Sequence, residues 1–220
     1  ERRDLGGRYL IPGLINMHVH LAGSGKPQKK QRDNEKLVST IMGSALTRAV
    51  AYKMVCGFAH DALMSGVTTI RTVGGLGDFD TRLRDEIAAG TRVGPRILAA
   101  NRGISVPGGH MAGSVAMVRA VCEEAHRMGY RVAAHVESPE GVRVALENGV
   151  DSIEHGAKPD AQILALFREK GAFLCTTISP ALPYALFDRS VTHATEVEQY
   201  NGNVVFEGII ACAKAALEND

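Results

Sequence analysis

The sequence predicts an α/β fold built on a parallel sheet. Three observations carry that expectation. Strand-like and helix-like segments alternate six times along the 220 residues. The 24 Gly and 8 Pro fall largely between those segments and mark tight connections. Four of the eight histidines sit at strand C-termini, the edge where parallel α/β proteins place their chemistry. The alternation fits an open doubly wound sheet or part of a (β/α)8 barrel, joined by right-handed crossovers. No GxGxxG follows a strand and no GxxxxGK[ST] is present, so a nucleotide-binding fold has no support.

Residues 1–7 are polar and end in a glycine pair, reading as the tail of something upstream. Residues 10–20 (LIPGLINMHVH) read as a buried strand with His18 and His20 at its end. Residues i and i+2 of a strand share a face, so both imidazoles aim into one space. Chance alone gives about 0.3 such pairs in this chain, so the pair needs company. Residues 23–32 (GSGKPQKKQR) form a basic, solvated loop. From 35 to 65 apolar residues recur at helical spacing, including Leu37, Ile41, Leu46, Val50, Met54 and Phe58, with Gly43 and Gly57 as weak points.

Gly66 stops this helix, and 67–73 (VTTIRTV) has β-branched strand chemistry. A short helix over 80–89 ends at Gly90, and 96–101 is the next strand. After the glycine-rich loop 105–113, residues 114–128 read as a helix with Ser114 as N-cap and Gly129 beyond its end. Strands follow at 131–136, 151–155 and 172–178. They alternate with helices begun by Ser138-Pro139 and by Asp160, and ended by Gly149 and Gly171. Residues 180–200 read as broken helix, and 203–218 as a final amphipathic helix.

A net charge near +1 favours neither nucleic acid nor an acidic partner, and the absence of Trp argues against stacking platforms. Cys56, Cys122, Cys175 and Cys212 are widely spaced and form no CxxC, as expected of free, mostly buried thiols in a reducing cytoplasm. No apolar run reaches the ~18 residues of a membrane span, so no membrane partner is expected.

His18, His20, His135 and His155 are the strand-end histidines, and neutral imidazole is the commonest ligand of zinc and similar cations. His110, in the PGGH loop, is a candidate for substrate contact or for support of the site. His60 and His126 fall within helices and read as structural or exposed, and His193 lies in an irregular segment.

These segments together resemble the amidohydrolase superfamily. Residues 9–20 (YLIPGLINMHVH) look like its first barrel strand, and 66–75 (GVTTIRTVGG), 132–137 (VAAHVE) and 149–156 (GVDSIEHG) look like later strands in the correct order. The PGGH loop and 176–183 (TTISPALP) suit the imidazolonepropionase-like and Xaa-Pro dipeptidase (prolidase)-like branch. The resemblance implies a (β/α)8 TIM-type barrel with one or two divalent metals, zinc first among them, at its mouth. His18 and His20 match first-strand ligands, and His135 and His155 match fifth- and sixth-strand ligands. A metal-bound hydroxide would attack an amide, cyclic amide or peptide C–N bond. A small molecule or dipeptide is then the expected substrate, and a homo-oligomer is admissible. The alternatives are a non-catalytic metal-binding relative or a one-metal deaminase.

The departures are specific. The family usually carries a fourth-strand lysine that bridges two metals, and here no strand segment contains Lys. The join near 113–114 looks like a lost fourth βα unit. The eighth-strand Asp, a metal ligand and general base, has no counterpart, since Asp220 follows a helix. Asn16 and Thr72 stand where the family often has Asp. Six strands cannot close an eight-stranded barrel. The expectation is therefore a longer working protein, with residues 1–8 the end of an upstream β-sandwich and 9–220 a partial barrel. The catalytic acid and the bridging lysine stay unassigned, and the chain by itself should fold poorly and lack activity.

Overall fold

Strand β1 (Leu14–Val19) runs parallel to β2 (Val67–Thr72), and β2 runs parallel to β3 (Arg96–Leu98). This is the sheet of the first of two compact units, 1–103 and 104–220, in a computed structural model that describes residues 4–23, 34–104 and 115–219. Helices α1 (Asn34–Met42) and α2 (Ala45–Met64) connect β1 to β2, and α3 (Phe79–Ala88) connects β2 to β3.

The helical stretch breaks at Gly43, where Ser44 becomes the N-cap of α2 and its Oγ accepts from Thr47 N at 3.1 Å. Gly57 stays inside α2 and does not break it. Gly66 ends the connection with φ +95°, a left-handed turn that glycine adopts without strain. The core gathers Val55, Ala59, Ile70, Phe79, Leu83 and Ile97. Full burial of a side chain such as Ile70 contributes about 1.5–3 kcal/mol.

Three expectations are corrected here. The strand expected to be buried is largely exposed: Leu14, Ile15 and Met17 show 53%, 65% and 44% of their surface. The reason is that β1 is the edge of its sheet and pairs only with β2 among the described residues. In α2 the inward stripe is Tyr52, Val55, Cys56 and Ala59, while Leu46, Val50 and Met54 face out. That helix is apolar nearly all round, so its periodicity does not select a face. Strand β3 also ends at Leu98, short of the expected 101, and Asn101 turns the chain with φ +60°.

In the second unit α4 (Val115–Arg127) leads to β4 (Ala133–Val136), α5 (Pro139–Glu147), β5 (Ser152–His155), α6 (Ala161–Lys170) and β6 (Phe173–Cys175). The sheet order is β4-β5-β6, all parallel. Ser138 and Asp160 accept from Gly141 N and Ile163 N as N-caps, and Gly171 closes α6 in the left-handed conformation. The expected cap at Ser114 lies outside the described residues. Val136, Val142, Leu146, Ile153 and Ile163 fill the core between sheet and helices.

The broken helix resolves into α7 (Leu182–Leu186) and α8 (Arg189–Thr192). Helix α9 (Glu196–Glu218) starts well before the expected residue 203. A capping box between Thr195 and Glu198 fixes its start. Asn201, Gly202 and Asn203 are weak helix formers, which hid the first two turns. Gly202 earns its place by packing, since a Cβ there would lie 2.3 Å from the Tyr184 ring.

Candidate metal centre

The second unit builds its polar cluster from the ends of β4 and β5. Residues on adjacent parallel strands that share a register position share a face. His135 is level with Glu154, and Val136 is level with His155. Ile153 and Val136 belong to the apolar core, so Glu154 and His135 take the opposite face. By strand period alone His155 would join Ile153 on the core side. The backbone prevents this: His155 has φ +69° and Gly156 follows at +84°. A left-handed conformation is uncommon for a residue with a Cβ, and it is stored where the surroundings over-determine it. Gly156 N donates to Val136 O at 3.1 Å and to Glu154 O at 2.9 Å, which locks the turn.

The result is convergence. His155 Nε2 lies 2.7 Å from His135 Nδ1, with ring centroids 4.2 Å apart and planes at 74°. His155 Nδ1 is hydrogen-bonded to Thr177 Oγ1. His135 Nε2 is 3.9 Å from Glu137 Oε1. One ligand atom each from His135, Glu137 and His155 lie within 4.8 Å of one another. His155 is 2% exposed, His135 half-buried and Glu137 exposed, so the group runs from interior to surface. Two imidazoles and a carboxylate suit a divalent cation of the zinc type. Two nitrogens on one tetrahedral zinc stand about 3.3 Å apart. An ion between these rings therefore asks for a small outward movement of one of them.

The first unit carries the other pair. His18 lies in β1 and His20 directly follows it, with ring centroids 5.1 Å apart and planes at 76°. His20 Nδ1 hydrogen-bonds the Gly74 carbonyl at 3.0 Å, which leaves Nε2 as the atom for a metal. The His18 N–H donates to Asn16 Oδ1 at 3.1 Å. Behind Gly74, the Asp80 carboxyl is 1% exposed. Burial pushes its pKa up, while the Thr72 side chain, the Asn101 backbone and the charge of His20 pull it back.

The remaining candidates separate clearly. His126 Nε2 bonds Asp151 Oδ2 at 2.8 Å, tying α4 to the start of β5. His193 closes α8 in the left-handed conformation, and His60 is exposed on α2. His110 lies outside the described residues. The four cysteines are free thiols, and all but Cys175 are buried. No described strand contains a lysine.

Residue-by-residue reading missed four groups. Glu137 stands two positions after His135, the same-face spacing that singled out His18 and His20. Glu154 is a carboxylate in a fully buried strand, 1% exposed, and accepts from Ser152 Oγ at 2.6 Å. Thr177 and Asp80 gave no local signal, because their partners are 22 and 60 residues away.

Residues 9–107 match the amidohydrolase family. Uncharacterised proteins of Mycobacterium tuberculosis and Mycobacterium bovis are 25% identical over 195 residues, covering 78% of this chain and 51% of theirs. The chain thus spans about half the length of the curated relatives it matches. A crystal structure of a candidate prolidase from Bifidobacterium longum is 32% identical, with a TM-score of 0.77 over 94% of this chain and 57% of that one. A Xaa-Pro dipeptidase with methionine in its active site is 24% identical, with a TM-score of 0.75 over 94% of this chain and 63% of that one. The ochratoxinase of A. niger shares the fold at 18% identity and a TM-score of 0.70, over 94% of this chain and 60% of that one. The fold is of the TIM-barrel type shared by these proteins. Among the described residues, no helix is long and apolar enough to cross a membrane.

Proposed function

We propose that this chain, which belongs to the amidohydrolase superfamily, is the metal-holding part of a hydrolase that cleaves an amide, cyclic amide or peptide C–N bond. The observation that carries the proposal is the convergence of His135, Glu137 and His155, enforced by a left-handed residue at a strand end. His135 and His155 form one ligand pair, and His18 and His20 the other. Glu137 is an oxygen donor beside the first pair. The donor set fits one or two divalent ions, zinc before calcium or magnesium, because imidazole dominates it. Such an ion polarises a carbonyl and makes water a competent nucleophile near neutral pH.

The protein's own residues then have definite work. Thr177 holds His155 Nδ1 and so presents Nε2 toward His135. The Gly74 carbonyl does the same for His20 through Nδ1. Glu154, buried beside Ser152, places a carboxyl group on the face that His135 shares. A prolyl dipeptide or N-acylated amino acid is the favoured substrate class, by analogy with the prolidase-like neighbours. His110 belongs to the proposal as a substrate contact. The proposal also places the enzyme in the cytoplasm and lets it self-associate.

The test is metal analysis of the full-length protein, followed by assay against Xaa-Pro dipeptides, N-acyl amino acids and aminated nucleobases. About two equivalents of metal with dipeptide or amide cleavage supports the proposal. One equivalent with nucleobase deamination favours deaminase chemistry instead. A full-length protein that takes up no metal overturns the catalytic reading.

A further inference from the structure

Asp80 is more deeply buried than a helix-start aspartate needs to be. It stands in the first turn of α3, where a surface carboxylate would serve the helix equally well. Instead it is 1% exposed, and among the described residues its Oδ2 has no hydrogen-bond partner. Burying a carboxylate with an unmet oxygen is costly unless a compensating charge is close.

The surroundings point in one direction. The carboxyl lies against Gly75, where a Cβ would come within 2.6–2.8 Å of Cγ and both oxygens. Gly75 N donates to Asn101 O at 2.7 Å, and Thr81 N donates to Asn101 Oδ1 at 3.0 Å. The Thr72 side chain and the Asn101 backbone stand close to the carboxyl and partly offset the burial that raises its pKa. Thr72 Oγ1 in turn accepts from Ala100 N at 3.1 Å. One residue before Gly75, the Gly74 carbonyl receives His20 Nδ1 at 3.0 Å, and a Cβ on Gly74 would touch the His20 ring at 3.4 Å. The carboxyl, the double-glycine turn and the imidazole are packed in series.

We infer that Asp80 is a positioning residue for His20 and the buried counter-charge for a cation held there. The packed carboxyl fixes the Gly74–Gly75 turn, the turn fixes the carbonyl, and the carbonyl fixes the imidazole. The inference rests on the reading of His20 as a metal ligand. Only glycine at position 75 lets the carboxyl come so close, which explains the paired glycines as well as the burial.

The test uses full-length protein and zinc affinity, measured by competition with a chromogenic chelator. Thermal melting of the metal-free form is run in parallel. Asp80→Asn keeps the shape and removes the charge. It should weaken zinc binding at least tenfold while the metal-free protein melts near wild type. Exchanging the pair, Thr72→Asp/Asp80→Thr, returns a carboxylate to the same buried contact from the other side. It should restore affinity to within about threefold of wild type. Unchanged affinity in Asp80→Asn overturns the inference. So does failure of the exchanged pair to recover binding, and that pair carries the test if Asp80→Asn does not fold. Wild type that binds no zinc removes the metal reading itself, whereas wild-type binding with an indifferent Asp80 removes only the inference.

Discussion

His155 Nε2 meets His135 Nδ1 at 2.7 Å although the two residues are out of register on neighbouring strands. Regular pleating would put them on opposite faces of the sheet. The contact exists because His155 adopts φ +69° and Gly156 continues the turn. The left-handed backbone at this point is therefore tied to the chemistry of the site.

Removing a ligand should separate metal loss from fold loss. His18→Ala in the full-length protein is expected to lower bound metal and activity together. His126→Ala removes the Asp151 contact and should leave metal content unchanged. Elemental analysis of both variants checks this, and equal metal loss in the two would refute the ligand assignment.

The hydroxyl of Thr177 should matter through His155 alone. Thr177→Val keeps the volume and deletes the hydrogen bond to Nδ1. Outer groups of this kind are worth about 10–100-fold in metal affinity. A fall of about tenfold is expected in chelator competition, with Thr177→Ser close to wild type.

Two left-handed glycines should respond differently to alanine. Gly171, at φ +60°, has open space where a Cβ would go, so Gly171→Ala should cost only the backbone strain, about 1–2 kcal/mol. At Gly156, φ +84°, the new Cβ would also stand 2.9 Å from Cys212 Sγ, behind the turn that aims His155. Gly156→Ala should therefore destabilise more and reduce metal binding too. Urea unfolding and metal titration of the pair make the comparison.

Acid should loosen the first unit through Glu86. Its carboxylate is held down to about 2, first by the Arg92 hydrogen bond and then, against some burial, by Tyr52 and Arg82. A depressed folded-state pKa means stability present above the unfolded value of ~4.3 and lost as pH falls from there through about 2. Glu86→Gln is expected to lose roughly 1 kcal/mol at neutral pH and to flatten this acid limb. Melting temperature against pH, for wild type and variant, is the measurement.

The sequence by itself determined the parallel α/β plan, because glycine stops, caps such as Ser138 and Asp160, and β-branched runs are local signals. It also determined which histidines stand at strand ends, since His18, His135 and His155 fall inside short strands and His20 one residue beyond. Tertiary structure alone decided the rest. Nothing local in α2 selects the Tyr52–Val55–Ala59 face over Leu46 and Val50, because both faces are apolar and packing chooses between them. Nothing local joins Asp80 to His20 or Thr177 to His155, because those partners meet only after crossovers bring strand ends together. The direction of the His155 ring reverses the rule of strand period, and only the backbone turn at 155–156, held by Val136 O, reveals it.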